Sequence, residues 1–298
     1  MPPDPAGFFP EGGFLDRVDK SISRLLFHCV LPAPLEVLLT IPGGWFGCPI
    51  YAVGFVPVAL TVLVRQEPGF LPFAGSVGAL GAGWWLKLCY DSRVQGSGLL
   101  RAYHFLRKVH LMALPHGVLA FASLGSSDGI DAAALYLTSW TLAQLLVEVL
   151  KGLSWRRRPA KALETELESV PRTVTELGSV VKQPSQANLS FPSGDAAGGA
   201  VFSSTLMIMT GANPGSASVP LLLSGVGRVY FHCHHVFDVL AGQAIGLGVT
   251  FALGRRGRLG WGHVLLSQLL LVGLWGPVQW LKPRGGAKQE LEVPKADD

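Results

Sequence analysis

Long apolar runs alternate along the chain with short breaks rich in charge, proline or glycine. The runs cover 46–64, 70–90, 109–125, 131–150, 195–211, 217–231, 237–254 and 262–281. A helix needs about 20 mostly apolar residues to cross a bilayer, so the pattern predicts an all-α, multi-pass bundle of about six to eight spans. The runs 109–125 and 217–231 are the short ones. Upstream, Phe14, Val18, Ile22, Leu25 and Leu26 recur at spacings of three and four. That spacing predicts an amphipathic helix within 13–30, lying on a membrane surface. Prolines and glycines between Pro32 and Gly44 then break the chain before the first span.

The breaks divide the chain into four parts: a tail and surface helix (1–45), a first group of spans (46–130), a core (131–254), and a last span with a charged tail (255–298). The segment 91–108 is basic, with Arg93, Arg101, Arg107 and Lys108, and 160–190 is the long polar loop. Composition supports lipid as the solvent. Only 15% of residues are charged and the mean hydropathy is +0.39, whereas a soluble domain carries about 25% charge. The net charge of +4 suits anionic headgroups and makes no case for nucleic acid. Cys29, Cys48, Cys89 and Cys233 are scattered and form no CxxC pair, so a disulfide framework is not expected. The first ten residues lack a basic region followed by an apolar core, so insertion through internal spans is expected. This reading makes the chain an integral membrane protein and assigns no compartment.

Three polar clusters stand at the ends of apolar runs. The first runs from Lys151 to Arg158-Pro159, the second is Phe191-Pro192-Ser193-Gly194-Asp195, and the third is Arg228, His234 and Asp238. Arginine can grip two phosphate oxygens with its planar fork, and lysine supplies a point charge. A helix start with Ser193 and Gly194 offers backbone N–H groups to an anion. A carboxylate four residues after a histidine can orient the ring and leave one nitrogen free to attack. Each cluster alone has an ordinary reading: a positive flank, a helix cap, a buried polar pair. Arg156 and Arg157 read as such a flank, and His232 and His235 receive no role.

Taken together, the clusters resemble the type 2 phosphatidic acid phosphatase superfamily, which also includes vanadium haloperoxidases. The resemblance covers roughly 131–254. It implies a helical core of that type and a lipid phosphate as substrate. It further implies that Lys151, Arg158, Ser193, Gly194 and Arg228 bind the phosphate, that His234 is the nucleophile, and that Asp238 orients it. No metal or other cofactor is implied. Two positions depart from the pattern. Gly227 stands where the family has serine. Asp195 stands where the family has the histidine that protonates the leaving group, so Asp195 is the candidate acid. The expected activity is metal-independent hydrolysis of a phosphomonoester or diphosphate, of the phosphatidate or isoprenoid diphosphate class, through a phosphohistidine. The alternatives are a lipid phosphotransferase of the same superfamily, or a catalytically impaired member that binds lipid phosphate.

Overall fold

A computed structural model describes residues 12–32, 35–36, 39, 127–154, 156–159, 163–167, 170, 189–257 and 259–280. The elements there are helices: α1 (Phe14–Phe27), α2 (Ser127–Ser154), α3 (Glu164–Leu167), α4 (Gly194–Thr210), α5 (Pro214–Ala217), α6 (Val219–Tyr230), α7 (Val236–Gly254) and α8 (Trp261–Trp280). Among the described residues there is no strand, only an isolated bridge between Arg157 and Leu189. The predicted spans 46–64, 70–90 and 109–125 and the basic segment 91–108 lie outside the described residues.

Four apolar runs become one helix each: α2, α4, α7 and α8. Asp131–Ser154 within α2 and Val236–Gly254 are, by length and composition, able to cross a membrane. The run 217–231 differs from expectation. Pro220 sits in the first turn of α6, after the break at Ser218, and the helix has 12 residues. At 1.5 Å per residue that is about 18 Å, short of the ~30 Å hydrocarbon core.

Helix α2 is central. Its residues from Ala132 to Thr141 are buried, as expected for a helix apolar all round. Tyr136, Leu137 and Trp140 pack with Ala197 and Val201 of α4, while Ile245 and Leu253 of α7 close the cluster. Helices α4 and α7 approach each other through small residues. A Cβ on Gly242 would lie 2.2 Å from the Ser193 carbonyl oxygen, and one on Gly246 would lie 2.3 Å from that of Ala197. Glycine is therefore what lets the start of α7 lie against the start of α4.

Helix α1 forms where the spacing predicts it, with its apolar stripe outward as a membrane-surface helix requires and a polar face packed on the core. Asp16, Asp19, Ser23 and Phe27 are buried, whereas Phe14 is 72% and Leu25 77% exposed. The helix turns its short polar groups to α7 and its apolar stripe outward. The reason is local. The α2–α3 connection contributes the buried Arg156, and the first turn of α7 contributes backbone N–H groups; both need acceptors.

Candidate functional site

The end of α2, the start of α4, the end of α6 and the start of α7 bring the three clusters together. Helix α6 closes in a Schellman motif: the His232 N–H bonds to the Val229 carbonyl (2.9 Å) and the Cys233 N–H to the Arg228 carbonyl (3.0 Å). His232 takes the left-handed position with φ 56°. The His234 N–H also bonds to the Arg228 carbonyl, at 3.2 Å. The five-residue spacing between Arg228 and His234 is thus the length of a helix terminus folded back on itself, which sets the two residues side by side.

His234 precedes α7, so it does not share a helical face with Asp238 in the expected way. Its Nδ1 lies 2.8 Å from the Ser190 carbonyl oxygen, and Asp238 Oδ2 is farther, at 3.8 Å. A carbonyl only accepts, so Nδ1 carries the proton and Nε2 keeps its lone pair. Burial lowers the pKa of His234 to about 3, with Arg158 and Arg228 pushing the same way and Asp238 opposing. The ring is therefore neutral near pH 7, the form a nucleophile requires.

Asp238 makes more contacts across the site than expected. It is fully buried. Its Oδ1 accepts from Arg156 Nη1 (2.7 Å) and its Oδ2 from the His235 N–H (2.8 Å). Its backbone carbonyl accepts from the Ser193 N–H (2.8 Å). One residue thereby touches all three clusters.

The second cluster combines its two sequence readings. The Ser193 hydroxyl accepts from the Ala196 N–H at 3.4 Å, an ordinary cap. Ser193's own N–H is taken by Asp238, which leaves the N–H groups of Gly194 and Asp195 as open donors at the start of α4. Gly194 is held from behind by Gln144, whose Nε2 donates to the Gly194 carbonyl at 2.9 Å. Asp195 forms an ion pair with Arg228, Nε to Oδ2 2.5 Å.

In the first cluster, Arg158 Nη1 lies 3.5 Å from the carbonyl of Cys233, next to His234. Burial and the nearby Arg228 lower its pKa from the usual guanidinium value. Lys151 instead pairs with Glu148 on its own helix, 3.1 Å away. Arg156 corrects the flank reading: it is 6% exposed and bonds Asp238, Asp19 (2.6 Å) and Asp16 (3.2 Å). Burial works against its charge, but Asp238 and Asp19 outweigh it and hold Arg156 more firmly protonated than usual. His232 Nε2 meets the Phe27 carbonyl at 3.1 Å, and His235 is buried beside Asp238. Asp19, His235 and Asp238 lie close enough to hold a metal ion, yet the Arg156 guanidinium already bridges the two carboxylates.

The serine-to-glycine departure at Gly227 has a packing reason. A Cβ there would lie 2.4 Å from the Leu39 carbonyl oxygen. Gly227→Ser, which restores the family residue, is expected to destabilise the protein by about 1–3 kcal/mol, the usual range for overpacking. Thermal melting in detergent checks it; an unchanged or raised Tm would contradict the close contact.

Comparison with curated proteins, and with solved structures, gave no match. A protein-family comparison matched residues 132–256 to the PAP2 superfamily. That segment contains Lys151, Arg158, Ser193, Gly194, Asp195, Arg228, His234 and Asp238. Residues 132–256 are thus similar to the PAP2 superfamily, a likeness that supports phosphatase-type chemistry.

Proposed function

We propose that this protein is a multi-pass membrane lipid phosphate phosphatase that works through a phosphohistidine at His234 and needs no metal. The carrying observation is a buried His234 whose Nδ1 is held by the Ser190 carbonyl, with Arg158 and Arg228 near it and the start of α4 tied to Asp238. In the first step the His234 Nε2 lone pair attacks phosphorus. The N–P bond forms as the bond to the leaving oxygen breaks, and that oxygen takes up a proton from water, which the water consumed in the second step restores. In the second step water attacks the phosphohistidine, the N–P bond breaks, and inorganic phosphate leaves with the ring returned to neutral. Arg158, Arg228 and the α4 N–H groups stabilise the charge on the phosphoryl oxygens. Lys151 joins them if it leaves Glu148.

Lipid as the surroundings is supported by apolar side chains on outward faces: Leu222 of α6, Leu240 of α7, and Leu265 and Leu269 of α8 are all more than half exposed. The exposed stripe of Phe14, Leu15, Ile22 and Leu25 on α1 suits the headgroup boundary. The test is phosphate release by purified protein in detergent with EDTA, from phosphatidate, sphingosine phosphate and an isoprenoid diphosphate. Release from at least one supports the reading, and release from none overturns it. Added alcohol acceptor separates water from an alcohol as the group that resolves the intermediate.

The Asp195–Arg228 ion pair favours a second reading, a member that binds lipid phosphate and turns over poorly. Asp195 here is ion-paired with the Arg228 guanidinium and, among the described residues, meets no group to which it could hand a proton. A positioned acid contributes about 100- to 10,000-fold when the leaving group is a strong base. Expelling an alkoxide from a monoester needs that help more than expelling a phosphate ester from a diphosphate. The expected preference is therefore for a lipid diphosphate. Asp195→His should raise monoester turnover more than diphosphate turnover. If wild type cleaves phosphatidate faster than any diphosphate, and Asp195→Asn changes neither rate, the leaving-group argument is wrong.

A further inference from the structure

Arg156 is the buried cation around which three carboxylates from two distant stretches of the chain converge. Its Nη1 donates to Asp238 Oδ1 (2.7 Å) and to Asp19 Oδ2 (2.6 Å), and its Nη2 donates to Asp16 Oδ1 (3.2 Å). Asp19 uses its second oxygen on the first turn of α7. Its Oδ1 accepts from the Phe237 N–H at 3.0 Å, one residue before Asp238. Ser23, one turn farther along α1, accepts from the Val236 N–H at 3.0 Å and bonds Asp19 Oδ1 at 3.3 Å. Asp19 and Ser23 are fully buried. The opening donors of α7 are thus satisfied by a helix more than 200 residues away in sequence.

We propose that Asp19 is a positioning residue for the phosphatase chemistry, acting through Arg156 and Asp238 on His234. This rests on the reading of His234 as nucleophile. A single tie between α1 and the core would leave Asp238 free to shift along or rotate about it. Asp19 instead holds the start of α7 from two directions: through the guanidinium at the Asp238 carboxylate, and through the N–H of the preceding residue, Phe237. Asp238 in turn holds the Ser193 N–H and lies beside His234. A displacement of about 1 Å at Asp238 therefore moves nucleophile and phosphate loop together, and misplacement of that size costs about 100-fold in rate. The N-terminal helix is in this sense part of the catalytic centre. Its amphipathic sequence serves two ends: apolar residues outward, and short acceptors at Asp16, Asp19 and Ser23 inward.

The experiment compares the full chain, purified in detergent, as wild type, Asp19→Asn, Asp238→Asn and the double variant, with His234→Ala as the dead control. Each is assayed for kcat and KM on phosphatidate and on an isoprenoid diphosphate. Asp19→Asn should lower kcat about 10- to 100-fold, the range typical of residues that orient a ligating or reacting group, with KM within about two-fold. The loss should not multiply in the double variant, because both substitutions break one chain of contacts. Arg156→Lys keeps the charge but cannot reach three carboxylates at once, and it repeats the test from the other side if Asp19→Asn folds poorly. Carbon-13 histidine NMR on the same proteins reads position without turnover. The His234 resonance should move in Asp19→Asn while that of the exposed His263 stays. If wild type is inactive on every lipid phosphate, the functional reading fails, and the NMR comparison still decides whether Asp19 reaches His234. Unchanged kcat in Asp19→Asn, losses that multiply, or an unmoved His234 resonance would each overturn the proposal.

Discussion

His234→Ala is expected to lower turnover by about 10⁴-fold or more while leaving the fold intact, since loss of a nucleophile removes the covalent route altogether. Among the described residues, neither adjacent histidine is free to substitute. His232 is bonded to the Phe27 carbonyl, and His235 is buried against Asp238. The substitution also has a pH signature. The folded pKa of His234 is about 3, whereas an unfolded imidazole titrates near 6.5. Between these values the unfolded chain binds a proton that the folded chain does not. Wild-type stability should therefore be full above about pH 6.5 and fall as pH drops towards 3. His234→Ala removes this component, so its melting temperature should depend less on pH over that window. By the same logic, an acid limb near pH 6.5 in kcat/KM would not come from His234. Turnover, melting curves at several pH values, and circular dichroism at neutral pH check these statements together. Near-full activity in a folded His234→Ala protein would remove the assignment.

Asp238→Asn is the second large effect, and it combines stability with rate. Both side-chain oxygens of Asp238 face donors, Arg156 and the His235 N–H. An amide supplies one acceptor and one donor, so whichever way it turns, one N–H faces another in a buried place. It also leaves the Arg156 charge less compensated. Removing one partner of a buried pair costs about 3 kcal/mol or more. Asp19 and Asp16 still hold Arg156, so the variant should fold with a lowered Tm. Turnover should fall by about 100-fold through misplacement of His234 and Ser193, short of the loss in His234→Ala. Equal activity in Asp238→Asn and wild type would mean that the carboxylate does not position the site.

The site was legible where its chemistry is local in sequence. Arg228, His234 and Asp238 are spaced by one helix terminus and the next helix start, so their separation carries their geometry. The Pro-Ser-Gly-Asp stretch likewise announces a helix entry. What was not legible depends on contacts across the chain. Arg156 reads as one more positive flank beside Arg157. Its burial becomes sensible only through Asp238, Asp19 and Asp16, which are 82, 137 and 140 residues away in sequence. On α1 the apolar stripe dominates the helical pattern, and the buried face falls on the opposite side. A signal was present in Asp16, Asp19 and Ser23, short acceptors at spacings of three and four. That signal is easily passed over, because the groups these acceptors meet, Arg156 and the Phe237 N–H, lie far away in sequence. The departure at Gly227 finds its meaning in the backbone of Leu39. The Ser190 carbonyl as partner of the His234 ring had no sequence signal, because any residue supplies a carbonyl.

The central claim, a phosphohistidine at His234 in a membrane phosphatase, is tested most directly by trapping it. Wild-type protein in detergent with EDTA is mixed briefly with a lipid phosphate or diphosphate radiolabelled in its terminal phosphate, then quenched in alkali, and the labelled peptide is sequenced. The account predicts an acid-labile, alkali-stable label on the peptide containing His234, absent from His234→Ala. Substrate hydrolysis by wild type with no label on the protein, accompanied by continued turnover in His234→Ala, would contradict it.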